Sequence, residues 1–233
     1  MDEKKVLLFI VEGISDETAL APALEKIISA RRIKFKVMRS DITSDYASNV
    51  SNIEKRIKEQ CVKKFLSENT QFTHNDICEI VHIVDTDGAF IPNNDVFTED
   101  IEDPVYLDKR INCKNRDLFI KTKENKVKNL LHLMKIKEIA IPFGKKVPYS
   151  VYFMSCNLDH VLHDKRNSTD TEKKENSLDF AEQYDEPESF KTFFEDKLIK
   201  IDGTYETTWN YIQQNYNSLA RGSNFWLYIS KYI

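Results

Sequence analysis

Two short acidic segments carry the chemistry that this chain offers most plainly. Glu12-Gly13-Ile14-Ser15-Asp16-Glu17 follows the apolar run Val6 to Val11, and Asp85-Thr86-Asp87-Gly88 follows an apolar run that ends at Val84. Alternation along an extended segment would point Asp85 and Asp87 to one side, about 7 Å apart. Carboxylates that close repel each other unless a cation or a shared proton lies between them. Oxygen-rich clusters of this kind suit Mg²⁺ or Mn²⁺, which bind through a few carboxylates, waters and substrate phosphate. A glycine beside each acid lets the backbone turn sharply or approach a ligand closely. Either segment alone also reads as an ordinary turn or cap, since Asp-Gly often ends a strand and Ser15 or Asp16 can cap the helix that follows. Both together, in order, favour a site.

The elements that must position these acids follow from periodicity. Lys4 to Val11 reads as a strand, and Asp16 to Arg31 repeats apolar residues at helical spacing. Phe35 to Met38 reads as a second strand, Asn49 to Leu66 as a long helix and Glu79 to Val84 as a third strand. Such β-α-β-α-β alternation predicts a parallel sheet with helices on its faces, where sites form outside the carboxyl ends of the strands. Regularity then breaks from about residue 89 to 123, and resumes with a helix over Glu124 to Lys135 and a fourth strand at Tyr149 to Met154. From Asn157 onward the pattern is helical. The expected organisation is a catalytic domain over 1–155, with a charged insertion at about 89–123, and a helical extension over 156–233.

The overall charge of -4, from 34 basic and 38 acidic side chains, hides a local asymmetry. Asp95 to Asp108 holds six carboxylates and no basic residue, whereas Lys109 to Lys128 holds eight basic side chains against two acidic ones. Lys114, Arg116, Lys121 and Lys123 are therefore candidates to contact the phosphates of a nucleic acid. Only five glycines occur in 233 residues, against a usual frequency of about 7%, and no glycine-rich phosphate cradle can be written from them. The longest apolar run near the start is six residues, where a membrane span needs about 20. No export signal is legible, so a cytoplasmic location is the expectation. The four cysteines fall at wide spacings without a CxxC pair, which fits reduced thiols.

The segments VEGISDETAL and HIVDTDGAF, in that order, resemble the TOPRIM family shared by topoisomerases, DnaG-type primases and several nucleases, which carries a Glu-Gly after its first strand and an Asp-x-Asp after its third. The resemblance covers about residues 4–155. It implies a Rossmann-type, mostly parallel four-stranded sheet flanked by helices. It also implies Glu12 as general acid/base or metal ligand, and Asp85 and Asp87 as catalytic residues holding Mg²⁺ or Mn²⁺. Asp16 stands one helical turn beyond Glu12, where related OLD-type nucleases often carry another acid, and is carried over as a further metal ligand. The chain lacks zinc-binding cysteines and room for a gate or polymerase body. What remains looks like the small TOPRIM nucleases of bacterial anti-phage defence. By that resemblance the function is metal-dependent hydrolysis of phosphodiester bonds in DNA or RNA. The implied partners are nucleic acid and a separately encoded ATPase sensor subunit, with a homo-oligomer also open.

Three other readings stand beside this one. Asp85-Thr86-Asp87-Gly88 also looks like the nucleophile motif of haloacid-dehalogenase-like phosphatases, in which the first Asp is phosphorylated. The aromatic C-terminal stretch from Trp209 to Tyr228 fits a non-catalytic, partner-binding subunit, although such residues more often complete a core. Cys156, Asp159, His160 and His163, spaced i, i+3, i+4 and i+7, would share a helical face able to bind zinc.

Overall fold

The structure is a computed structural model that describes residues 6–28, 32–37 and 41–232. Residues 29–31 at the end of the expected first helix, Met38 at the end of the expected second strand, and Lys4 and Lys5 lie outside the described residues.

The frame is an α/β sheet whose strands run, from edge to edge, Arg32–Val37, Val6–Val11, Ile77–Asp85, Lys146–Met154 and Glu138–Ala140. Strand β1 (Val6–Val11), β2 (Arg32–Val37), β3 (Ile77–Asp85) and β8 (Lys146–Met154) are mutually parallel. The short β7 (Glu138–Ala140) adds an antiparallel edge to β8. All six residues of β1 are fully buried, as expected for a central parallel strand covered on both faces. Helix α1 (Ile14–Ile27) leads from β1 to β2 and buries Ala19, Leu20, Ala23 and Leu24. The return to β3 runs through α2 (Ile53–Arg56), a π-helical stretch Ile57–Lys63 and α3 (Lys64–Glu68), which together replace the single α-helix expected over Asn49 to Leu66. Because β2 and β3 flank β1 on opposite sides, the chain reverses its direction of travel across the sheet between β1 and β3. Crevices at such switch points are where open α/β sheets bind ligands.

The region from 89 to 123 is more ordered than its sequence pattern predicts. Strands β4 (Val96–Thr98), β5 (Val105–Tyr106) and β6 (Ile111–Cys113) form a second sheet in the order β4-β6-β5. Strands of two or three residues are too short to show a period, which is why they escape pattern reading. Helix α4 spans Arg116–Leu133 and so begins eight residues before the expected Glu124. Asn115 caps it, its side-chain oxygen accepting from the Leu118 amide at 3.0 Å.

The C-terminal elements are α5 (Leu158–His163), α6 (Asp170–Gln183), α7 (Pro187–Glu195), α8 (Tyr205–Ile212) and α9 (Trp226–Ile229). Phe180, Phe190, Phe194, Phe225 and Tyr228 pack with Leu7, Phe9 and Leu20 on one face of the sheet, while Trp209 and Ile212 join the cluster on the other. These aromatic residues are core. Among the described residues no helix is long and apolar enough to cross a membrane.

Candidate metal centre

Each strand-end acid is held by local chemistry. After β1, the Asp16 carboxylate reaches back from the first turn of α1, and its Oδ2 accepts from the backbone amides of Glu12 and Gly13, both at 3.0 Å. Gly13 is extended, with φ of -128°, and an added Cβ would meet nothing closer than 3.7 Å. Its backbone therefore does not need glycine. After β3 the opposite holds. Asp87 and Gly88 both adopt left-handed backbone, φ 47° and 62°, and a Cβ on Gly88 would stand 2.7 Å from methyl carbons of Ile111 and Leu219. Thr86 pins this turn: its amide donates to the Met154 carbonyl at 3.0 Å, and its hydroxyl donates to the Ser218 carbonyl and accepts from the Cys156 amide, each at 2.8 Å.

The left-handed turn corrects the expectation that Asp85 and Asp87 alternate along one strand face. The strand stops at Asp85, and Asp87 leaves on its own path. Asp85 keeps its amide on Glu12, donating to Oε1 at 3.2 Å. Asp87 meets two groups that sequence reasoning missed, Asp41 and Lys126. Carboxylate oxygens of Glu12, Asp41 and Asp87 all lie within 4.8 Å of one another, a grouping able to hold a metal ion. The Lys126 Nζ stands 2.5 Å from Asp87 Oδ2, 2.7 Å from Asp41 Oδ2 and 3.9 Å from Glu12 Oε1.

Helix α4 builds this half of the site. Its inward face presents Lys123, Lys126, Asn129, Leu130 and Leu133, and Lys126 is 2% exposed. The loop bearing Asp41 is tied to that helix. Asn125 donates to the carbonyls of Asp45 and Ser48 at 2.9 Å, and Asn129 to that of Thr43 at 2.8 Å. Asp41 Oδ1 in turn accepts from the amide and hydroxyl of Thr43 at 2.7 and 2.5 Å.

The electrostatics are those of a cluster short of positive charge. Among the described residues four carboxylates, Glu12, Asp41, Asp85 and Asp87, surround one ammonium. Burial favours the neutral form of the Asp41 carboxyl, but Lys126 and Thr43 outweigh it and hold the group below its usual range. Lys126 is likewise opposed by burial, yet Asp41, Asp87 and Glu12 raise its pKa well above the ordinary lysine value. Burial, then neighbouring acids, push Glu12 and Asp85 well above the carboxylate range. The donor set is all oxygen and carries surplus negative charge, which fits a hard divalent cation. Such an ion would let Glu12 and Asp85 ionise.

Two cavities flank the cluster. One of about 260 Å³ is polar, lined by Glu12, Asp16, Asp41, Asp85, Asp159 and His163 among others. The other, of about 480 Å³, has Asp87 and Lys126 at its floor. Asp16, expected as a metal ligand, lies on the wall of the first cavity. Its carboxyl pKa is raised to about 6, chiefly by burial.

The four expected phosphate contacts do not form one surface. Lys114 and Lys121 are exposed, Lys121 with its ammonium 5.4 Å from the Tyr46 ring centroid. Arg116 instead donates to the carbonyls of Val96 and Asn93, both at 2.8 Å, and Lys123 is buried against the Ile91 carbonyl at 2.6 Å. Those two fasten the insertion to α4. Nor do Cys156, Asp159, His160 and His163 assemble as a metal group among the described residues. Cys156 lies outside α5, in left-handed backbone with φ of 59°, and the His163 ring packs edge-on against Phe180.

Comparison with protein-family models, with curated proteins and with solved structures found no match for this chain.

The signal for Lys126 was present in the sequence. Lys123, Lys126, Leu130 and Leu133 recur at i, i+3, i+7 and i+10, which places both lysines on the helix's apolar stripe. Asp41 follows the second strand, at the same edge as Glu12 and Asp85, as any residue just past a parallel strand must.

Proposed function

We propose that this chain is a Mg²⁺- or Mn²⁺-dependent nuclease that hydrolyses phosphodiester bonds of nucleic acid, in the manner of the small TOPRIM nucleases its strand-end motifs resemble. The observation that carries the reading is the convergence of Glu12, Asp41 and Asp87 within 4.8 Å at the carboxyl edge of a mostly parallel sheet, with Asp85 hydrogen-bonded to the same Glu12.

Glu12, Asp41 and Asp87 would hold the ion, with Asp85 beside them. When bound, the ion supplies Lewis-acid polarisation of the phosphate and stabilises the leaving oxygen. Glu12, whose carboxyl is raised above the ordinary range by burial, would move a proton to or from the attacking water where it does not ligate the ion. Lys126 provides a fixed positive charge that needs no reorganisation when charge develops on phosphate. Asp41 orients Lys126, and the exposed Lys114 and Lys121 engage phosphates further along the strand. The same resemblance carries the proposed setting, a cytoplasmic effector of anti-phage defence working beside an ATPase sensor.

The test is incubation with a mixed panel of DNA and RNA in Mg²⁺ and in Mn²⁺, comparing wild type with Glu12→Gln, Asp41→Asn, Asp85→Asn and Asp87→Asn. Loss of roughly 100-fold or more in cleavage rate is expected for Glu12→Gln and Asp87→Asn. Undiminished cutting by Asp87→Asn would remove the assignment.

A further inference from the structure

The larger of the two cavities has a use that phosphate chemistry alone does not assign. It measures about 480 Å³, within the range of roughly 300–1,000 Å³ typical of small-ligand sites. It opens between the insertion's small sheet and the first turns of α4. Its floor is Asp87 and Lys126, two members of the carboxylate–ammonium cluster, so a group seated at that cluster is contiguous with the cavity. Its lining also includes Tyr106, Leu118 and Phe119, with the exposed Lys114 and Glu102 on its solvent side.

Tyr106 and Phe119 pack in part against the insertion's apolar cluster of Ile91, Val96, Ile111 and Cys113, and both also line the cavity. Tyr106 directs its hydroxyl to Asp87 Oδ1 at 3.4 Å, which holds the ring at the junction of cluster and cavity. Leu118 is 48% exposed although it is a large apolar side chain on a well-formed helix. Flat aromatic and aliphatic walls above a charged floor, with a lysine at the mouth, match a molecule that is planar and apolar at one end and anionic at the other. The phosphate would reach this acidic cluster through the cation that Glu12, Asp41 and Asp87 would hold, and the planar group lies between the walls.

We propose that this cavity receives the base of an unpaired nucleotide whose phosphate lies at the cluster, so that the substrate is single-stranded nucleic acid or an extruded nucleotide rather than intact duplex. The inference rests on the nuclease reading for its phosphate position. A base already paired and stacked cannot enter a concave site without leaving its helix, so duplex is a poor substrate. The sugar and base extend away from the cluster into the cavity, and the next phosphate of the strand meets Lys114 at the rim.

The test separates the base from everything attached to it. Binding of nucleoside 5′-monophosphates carrying each of the four bases is compared with ribose 5-phosphate, in Mg²⁺, by equilibrium dialysis or ligand-observed NMR. At least one nucleotide should bind tenfold or more tightly than ribose 5-phosphate, and Leu118→Trp, which fills the cavity from an exposed position, should abolish that advantage while leaving the melting temperature unchanged. In parallel, single-stranded oligonucleotides should be cut at least tenfold faster than the same sequences as blunt duplexes. Equal affinity for nucleotide and ribose 5-phosphate overturns the pocket, even if strands are cut, and leaves the nuclease reading standing. Base-dependent binding that Leu118→Trp removes, without cleavage of any strand, upholds the pocket and overturns the nuclease reading.

Discussion

The loops after β1 and β3 carry the same letters, an acid and a glycine, and are held in different ways. The first is extended at Gly13 and is fixed by one side chain, the Asp16 carboxylate bridging two amides. The second turns through two left-handed residues, with Gly88 wedged between Ile111 and Leu219 and Thr86 bonded on both sides. Acid-glycine after a strand therefore identifies a place at the sheet edge, not a backbone conformation. The difference also divides labour. Asp87 is delivered by packing and cannot relax, whereas Glu12 sits on a loop whose anchor is itself a titratable group with a pKa near 6, so its position answers to local charge.

Lys126 ties the two loops together, and removing it has the largest expected effect. Lys126→Met strips the one ammonium that the described residues place in this buried acidic cluster, and the loss of stability at neutral pH in chelator should be about 3–5 kcal/mol by urea denaturation. The loss should shrink as pH falls, because the stranded carboxylates then take up protons. A loss below about 1 kcal/mol that does not vary with pH would mean that the cluster holds no net charge without the lysine. Gly88→Ala comes next. Left-handed backbone costs a non-glycine residue about 1–2 kcal/mol, and the methyl must displace two packed side chains, so about 3 kcal/mol is expected. An unchanged melting temperature would show that the loop after β3 yields as readily as its counterpart.

The strand leading to that rigid loop should also respond to acid. His82 on β3 is fully enclosed and hydrogen-bonded to the Tyr149 hydroxyl at 2.9 Å, and burial lowers its pKa to about 4. A histidine that is neutral when folded and charges near pH 6.5 when unfolded stabilises the fold above pH 6.5. That contribution is lost as pH falls from 6.5 towards 4. About 2 kcal/mol should disappear by pH 5, and His82→Phe should flatten that part of the stability curve. An unaltered slope in the variant would place the acid sensitivity elsewhere.

Much of this frame is legible in the sequence, and the boundary between what is and what is not has physical causes. The parallel strands announce themselves because burial on both faces demands unbroken apolar runs, as in Val6 to Val11. Glu12, Asp85 and Asp87 are legible because they interrupt such runs abruptly. Asp41 is not, because it follows a strand whose middle, Lys34 and Lys36, alternates charge with apolar residues and ends in a loop without glycine. Lys126 is masked by its neighbours: in a run with eight basic side chains, one that turns inward is told apart only by its helical spacing to Leu130 and Leu133. Arg116 and Lys123 misled for the same reason, since a backbone carbonyl that attracts a cation leaves no mark on the sequence.

The smallest effects discriminate best between the two loops. Asp16→Ala removes the acceptor shared by the Glu12 and Gly13 amides and should cost about 1 kcal/mol, the usual scale for a lost N-terminal cap. Gly13→Ala should stay within about 0.5 kcal/mol of wild type, because φ of -128° is open to any residue and the new methyl would meet Asp16 only at ordinary contact distance. Alanine also restricts the unfolded chain more than glycine does, which offsets part of any strain. The informative quantity is the ratio between the two glycine variants. If Gly13→Ala proved as costly as Gly88→Ala, the loop after β1 would be set by packing like its partner, and Glu12 would lose the freedom assigned to it.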